Sequence, residues 1–183
     1  ALIKIFDFLI KENYDGKFIN TSSALVYGSN TPNIVSEDLP FFPDHPYAVA
    51  KASIDSLINL IQHNLNVTTV RPFNCIGRGH RKDYVVPKIV EHFQSKKKSI
   101  KLGNCKSKRD FVDVRDVARM YWEISRADSN YNAFNLCSGH SVSIYEIVRL
   151  LEKISDHRIK IDTDKNLFRK ILLHNFYDSF NIL

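Results

Sequence analysis

Apolar positions along the chain follow two periods, and the elements they predict alternate. Residues 1–11 form an amphipathic pattern interrupted by Lys4 and Asp7, which predicts a helix. Gly16 closes the loop after it. Residues 17–21 then read as a short buried strand. A stretch rich in Pro, Asn, Ser and Asp follows from Ser29 to Pro46 and predicts a loop. From Ala48 to Asn64 there is no Gly or Pro, and Ile54, Leu57, Ile58 and Ile61 fall at helical spacing. Residues 67–71 are β-branched and strand-like. Residues 72–81, with Gly77 and Gly79, read as a turn region. A helix is predicted over 85–97, a strand over 99–103 and an extended segment over 111–114. Asp116 is expected to cap a helix running to Ile124. A strand is predicted over 132–137, with a turn at Ser138 and Gly139. Ser143, with Glu146 three residues on, is a capping box for a helix through Ile154. Arg158–Asp162 reads as one more strand.

Strands alternating with helices predict an α/β fold built on a parallel sheet. A doubly wound domain ordinarily opens with a strand, a glycine-rich turn and a helix. This sequence opens with a helix and contains no G-x-G-x-x-G or G-x-x-G-x-x-G. The expectation is a partial doubly wound, Rossmann-type sheet whose first strands are absent, joined to a small α/β substrate-binding region. Residues 1–78 and 111–138 are expected to build the Rossmann-like part. Residues 79–110 and 139–183 are expected to build the substrate-binding region, the last of them truncated.

Composition narrows the function classes. The longest apolar runs fall far short of the ~20 residues that cross a bilayer, and the N-terminal stretch lacks the basic start and cleavage site of a signal peptide. Cys75, Cys105 and Cys137 are widely spaced, without disulfide or metal-ligand patterning. Reduced thiols in a cytoplasmic protein are expected. The net charge of +6 is concentrated around Lys96–Lys101 and Lys106–Arg109. That suits either a solvated surface or an anionic ligand. Nucleic acid is excluded as a partner, since no groove-reading or base-stacking motif accompanies the charge. His45, His80 and His140 have no partners at metal-ligand spacing and are expected at the surface.

The candidate chemistry starts at Tyr47 and Lys51. Chance supplies about one Tyr-x-x-x-Lys pair in a chain of this composition, and a second occurs at Tyr84 and Lys88. Context separates them. Pro46 sits where it can open a helix, so Tyr47 and Lys51 share a face one turn apart. Pro87 lies inside the second motif and disfavours helical geometry before it, so Tyr84 is expected to be a contact or core aromatic.

Five blocks in order carry a resemblance: Thr21–Gly28, Tyr47–Lys51, Arg71–Asn74, Arg109–Val114 and Asn135–Gly139. Over nearly its whole length the chain resembles the extended short-chain dehydrogenase/reductases of the NAD-dependent epimerase/dehydratase group, which act on nucleotide sugars. The resemblance implies that Tyr47 is a general acid/base and that Lys51 is its electrostatic partner and a ligand of the nicotinamide ribose. It implies that Ser23 is the hydroxyl that orients the reacting sugar oxygen, with Ser22 an adjacent candidate. A free phenol ionises near pH 10, and a close ammonium together with an oxidised nicotinamide favours its anion. Phe73 is placed on the cofactor side with Tyr47 and Lys51. Asn74, Lys88, Arg109 and Arg169 are placed on the nucleotide, where a guanidinium fork suits a diphosphate. Asp113 and Asp116 read as structural. The implied cofactor is NAD or NADP. The implied partner is a nucleotide-diphosphate sugar, with a homodimer paired through residues 1–11 and 47–64.

Within that group, 4,6-dehydratases carry an acidic residue just after the hydroxyl position, and GDP-fucose synthases carry a cysteine two positions after it. Ala24 and Leu25 occupy those positions here, which leaves 4-keto reduction or 4-epimerisation. The Arg71–Gly79, Arg109–Val117 and Asn135–Gly139 blocks look most like GDP-6-deoxy-4-keto-mannose reductases. A non-catalytic nucleotide-sugar-binding protein is the alternative, because without a glycine-rich turn the dinucleotide pyrophosphate lacks its usual helix N-terminus. These 183 residues alone are therefore expected not to turn over a nucleotide sugar. NAD(P)H absorbance followed with the purified chain and a 4-keto nucleotide sugar checks this, and measurable consumption refutes it.

Overall fold

A computed structural model describes residues 2–29, 31–32, 34–127 and 131–167. Helix α1 (Leu2–Lys11) leads into β1 (Phe18–Thr21), and α2 (Pro46–Ile61) leads into β2 (Val67–Pro72). With β6 (Ala133–Leu136), these strands form a parallel sheet of order β1-β2-β6. A second ladder pairs β3 (Asn74–Ile76) with β5 (Lys108–Asp113) in parallel, and β5 with β7 (Ser141–Ser143) antiparallel. Beyond it, β4 (Ser99–Leu102) pairs in parallel with β8 (Lys160–Thr163). Helices α3 (Val85–Gln94), α4 (Val114–Arg126) and α5 (Ile144–Ser155) complete the described elements.

Several expected boundaries moved for identifiable reasons. Helix α2 starts at Pro46, since proline's fixed φ suits a first helical position. Residues 74–76 are a strand inside the expected turn region because β5 supplies a partner, something a three-residue run cannot announce. Asp113, not Asp116, caps α4: its carboxylate accepts the Arg115 N–H at 2.8 Å, and Asp116 instead pairs with Arg119 one turn on. The Ser143–Glu146 capping box forms as expected.

Alternation along the main sheet sorts its two faces. Val70, Phe134 and Leu136 pack against Val117 and Ile124 of α4. On the opposite face, Val67 and Phe18 pack with Phe6 of α1 and Ile58 of α2. Helices thus cover both faces of a parallel sheet, the doubly wound arrangement. Toward the carboxyl ends of the strands, the α2 face changes character. The strands place buried polar residues there: Asn20 from β1, Thr69 and Arg71 from β2, and Asn135 from β6.

These residues are joined through Asp55, on the buried side of α2. Arg71 Nε donates to Asp55 Oδ2 at 3.1 Å, and the two side chains are 4% and 1% exposed. Ser22 Oγ donates to the same carboxylate at 2.8 Å, and Asn20 Nδ2 lies 3.3 Å from its other oxygen. Arg71 Nη1 donates to the Tyr27 hydroxyl at 2.7 Å and to the Glu37 carbonyl at 2.9 Å, and Tyr27 donates to Asn135 Oδ1 at 2.8 Å. The guanidinium also lies 4.8 Å from the centre of the Phe41 ring. The network therefore ties α2, all three strands and the 29–46 loop to one point. Gly28, at φ +79°, lets that loop close: a Cβ there would lie 2.0 Å from the Phe42 carbonyl oxygen.

Two outcomes are expected. Asp55→Ala leaves Arg71 buried without its counter-charge and lowers unfolding free energy by about 3–5 kcal/mol, read as a fall in the urea midpoint. Burial also pushes the Tyr27 phenol up to about 12, against the opposing pull of Arg71. Its neutral form is thus the one the fold holds. That stability is complete below the unfolded phenol's pKa near 10 and disappears as pH rises to about 12, a loss of about 3 kcal/mol. Unfolding midpoints across this interval check it, and Tyr27→Phe flattens the response.

Candidate active site

The carboxyl ends of β1, β2 and β6 lie along one edge of the sheet, where doubly wound folds gather ligand groups. Ser22 and Ser23 leave β1 there, held by the Ser22 N–H to Val70 carbonyl bond at 2.7 Å. Ser23 is buried and caps the short 3-10 turn Ala24–Tyr27, its Oγ accepting the Leu25 N–H at 3.2 Å. That bond uses a lone pair and leaves the O–H as a donor. Ser22 is spent on Asp55, so of the two serines only Ser23 keeps its proton for another partner.

Tyr47 is the second residue of α2 and is 52% exposed. Lys51, one turn later, places its ammonium 5.8 Å from the centre of the Tyr47 ring. The same ammonium donates to the Thr21 carbonyl at 2.7 Å, bridging the helix to the end of β1. Asp55 follows one further turn along the same row. The network that buries Asp55 thus fixes the helix carrying Tyr47 and, through Ser22, the strand end carrying Ser23. Sequence reasoning missed Asp55 because a single carboxylate on a helix ordinarily faces water. The available signal was its place on the side of α2 that also buries Ala48, Ala52 and Ile58.

Arg71 and Pro72 lead from β2 directly into a separate cavity of about 390 Å³. Phe73, Asn74, Lys88 and Arg109 all line it. Asn74 is held by donating its amide to the Asp110 carbonyl at 2.9 Å. Alternation along β5 points Arg109 and Phe111 into the cavity and buries Asp110 on the other side. There the Asp110 carboxylate accepts the Ser138 and His140 N–H groups at 2.9 and 3.1 Å, fixing the turn after β6. Burial pushes that carboxyl up, opposed by these same hydrogen bonds. Lys88 reaches across from α3 to the Lys101 carbonyl of β4 at 2.6 Å. Tyr84 precedes α3 as its cap residue and stacks on His80, ring centres 4.4 Å apart, a contact aromatic as expected. Tyr47, Lys51 and Ser23 lie outside this cavity, and Arg169 lies outside the described residues. The candidate site therefore has two parts: the Tyr47–Lys51 pair with Ser23 at the sheet edge, and a separate pocket lined by Asn74, Lys88 and Arg109. Among the described residues no helix is long and apolar enough to cross a membrane.

Similarity to known proteins agrees with this geometry. The chain is 33% identical over 148 residues to the GDP-6-deoxy-D-talose 4-dehydrogenase of Aggregatibacter actinomycetemcomitans, covering 81% of this chain and 50% of that protein. It is 28% identical over 177 residues to the GDP-6-deoxy-D-mannose reductase of Pseudomonas aeruginosa, covering 92% of this chain and 58% of that protein. The chain thus spans about half the length of the curated relatives it matches. Among solved structures, the RMD protein of P. aeruginosa complexed with NADPH superposes with a TM-score of 0.83 at 27% identity, over 97% of this chain and 62% of that one. Residues 3–137, which include the Tyr47–Lys51 pair and most of the pocket, match a family directly: the chain belongs to the NAD dependent epimerase/dehydratase family.

Proposed function

We propose that this chain is the catalytic and substrate-binding part of an NAD(P)-dependent nucleotide-sugar oxidoreductase, acting by 4-keto reduction or 4-epimerisation of a nucleotide-diphosphate hexose. The observation that carries this reading is the Lys51 ammonium set beside the Tyr47 ring at the carboxyl edge of a parallel sheet. The two curated relatives named above are both GDP-6-deoxy-hexose enzymes, one of them a 4-dehydrogenase and the other a reductase, which supports chemistry at the 4-position.

Tyr47 gives a proton to the sugar oxygen, or takes one from it in the reverse direction. Its half-exposed ring leaves the hydroxyl open to a ligand. Ser23 donates a hydrogen bond to the same oxygen and fixes its direction. Lys51 stabilises the phenolate form electrostatically. The exposed Tyr47 ring and the Lys51 ammonium fit the nicotinamide end of NAD or NADP, and these two residues, with Phe73, which packs against the cluster containing Ala52 of α2, would hold it. When bound, that cofactor supplies or accepts the hydride. Asn74, Arg109 and Lys88 hold the nucleotide diphosphate in the cavity, the guanidinium gripping phosphate oxygens as a fork.

The strand pairing supports dividing the chain as the sequence suggests. Residues 1–78 and 111–138 contribute the doubly wound sheet, and 79–110 and 139–167 contribute the β4–β8 pair and, with Phe73–Ile76 and Phe111, the pocket walls; the β3–β5 ladder lies at the seam, and residues 168–183 of the expected region lie outside the described residues. Homodimerisation through α1 and α2 is supported by Ile3, Phe8, Val49 and Leu60, which remain exposed while the opposite sides of those helices pack on the sheet.

The reading is tested in two steps. Calorimetric titration of the 183-residue chain with GDP is expected to show binding that Arg109→Ala weakens at least tenfold, the scale of a lost charge-assisted hydrogen bond. A longer chain carrying a glycine-rich first turn ahead of Ala1 is expected to consume NAD(P)H with a 4-keto nucleotide sugar, and Tyr47→Phe in it lowers kcat by about 10²–10⁴. Wild-type turnover by Tyr47→Phe sinks the acid/base assignment. Nucleotide-sugar binding without cofactor binding in that longer chain favours a binding protein instead.

A further inference from the structure

His45 lies between the five blocks, and the sequence places it at the surface. Its ring has two specific contacts. Nδ1 accepts the Ala48 N–H at 3.2 Å and so caps the first turn of α2. The ring also stacks on Tyr47, with centres 6.1 Å apart and planes 18° apart. Helix caps are ordinarily Ser, Thr, Asp or Asn, whose oxygens accept throughout the neutral range. An imidazole nitrogen accepts only while it carries no proton, so this bond requires the neutral ring with its hydrogen on Nε2.

Protonation turns that acceptor into a donor facing the Ala48 N–H. It also puts a positive charge at the helix end that already carries partial positive charge. The adjacent Asp44 carboxylate is engaged by the Ser29 N–H at 3.1 Å and by the Ser29 hydroxyl. The Lys51 ammonium stands 5.8 Å from the Tyr47 ring centre, so an imidazolium would be a second cation at the same phenol. The Val49 N–H to His45 carbonyl bond, at 3.0 Å, is independent of the ring's charge and keeps the helix itself in place.

We propose that His45 is a positioning residue for Tyr47, effective in its neutral form: once the ring is protonated, the first turn of α2 loses its cap, and the ring stacked on Tyr47 loses the hydrogen bond that fixes its direction. The proposal rests on the function given above only in treating Tyr47 as the acid/base. The cap and its test involve no turnover.

The test uses NMR on the intact 183-residue chain between pH 8 and 5.5. Protection of the Ala48 amide, corrected for intrinsic exchange, is expected to fall about fivefold, the typical worth of a helix cap. The Tyr47 ring resonances are expected to shift with the same midpoint as those of the His45 ring. His45→Asn retains an accepting cap that does not titrate, and His45→Ser provides a second such variant should the first fold poorly. In both, Ala48 protection stays level and Tyr47 no longer follows pH. An unchanged response in these variants, or none in the wild type, overturns the proposal. GDP titration of the same samples is a separate readout: loss of nucleotide binding at every pH counts against the proposed function and leaves the His45 result standing.

Discussion

The buried Arg71–Asp55 pair is the constraint on which the arrangement of this protein depends. A guanidinium and a carboxylate removed from water are costly unless every donor and acceptor is engaged. Here Ser22, Asn20, Tyr27 and the Glu37 carbonyl supply those partners. Each lies on a different piece of chain from Arg71, so satisfying one ion pair assembles β1, β2, α2, the 3-10 turn and the long loop together. Asn135 extends the same demand to β6 through Tyr27 and through its own amide bond to the Val35 carbonyl at 3.0 Å. An apolar core at this position would hold the layers together without dictating where along α2 they meet. The polar network dictates that, because only one register of the helix brings Asp55 to Arg71.

The consequence for chemistry follows from helix geometry. Residues 47, 51 and 55 form one row along α2. Pinning Asp55 at the base of the row fixes Lys51 one turn up, within reach of the Thr21 carbonyl, and Tyr47 another turn up, where its ring is open. Ser22 is drawn into the same carboxylate, so Ser23 next to it leaves β1 at a fixed height. The Tyr47–Lys51 pair and the Ser23 hydroxyl therefore share a single anchor. The cavity that holds Asn74 and Arg109 has a different one. Asp110 holds the Ser138–His140 turn with its carboxylate and Asn74 with its carbonyl, and strand alternation then presents Arg109 to the cavity. Two buried aspartates organise the two halves of the site.

Much of this was legible in the sequence, though unevenly. Apolar patterning located α1, α2 and the three strands of the main sheet, and the Ser143–Glu146 capping box located α5, because both signals lie in residues close together in the chain. Proline context, with the helical spacing of apolar residues after Tyr47, separated Tyr47 from Tyr84, and the structure places the first inside a helix and the second ahead of one. β3 and β7 were missed, since strands of three residues exist only by virtue of their partner β5. Asp113 displaced Asp116 as the cap of α4 because capping is decided by backbone direction at the strand exit, which composition does not reveal. Asn74, Lys88 and Arg109, separated by up to 35 positions, meet in one cavity, which the family resemblance, not local pattern, had grouped. His45 was read as a surface residue because no partner stood at metal-ligand spacing, and its place as the cap of α2 emerges only in the structure.

The sequence by itself determined the fold class, the family and the identity of the acid/base candidates. Those depend on residue type at fixed short spacing, and short spacing on a helix or strand is geometry already. Only the tertiary structure decided what holds them: that Ser22 is a structural ligand while Ser23 keeps a free donor, that Asp55 and Arg71 are a buried pair, and that Tyr27 is a neutral phenol wedged between a guanidinium and an amide. These are contacts between residues distant in the chain, set by which faces of the sheet and helices meet. Apart from the place of Asp55 among the apolar positions of α2, nothing local in the sequence records the burial that gives them their strength.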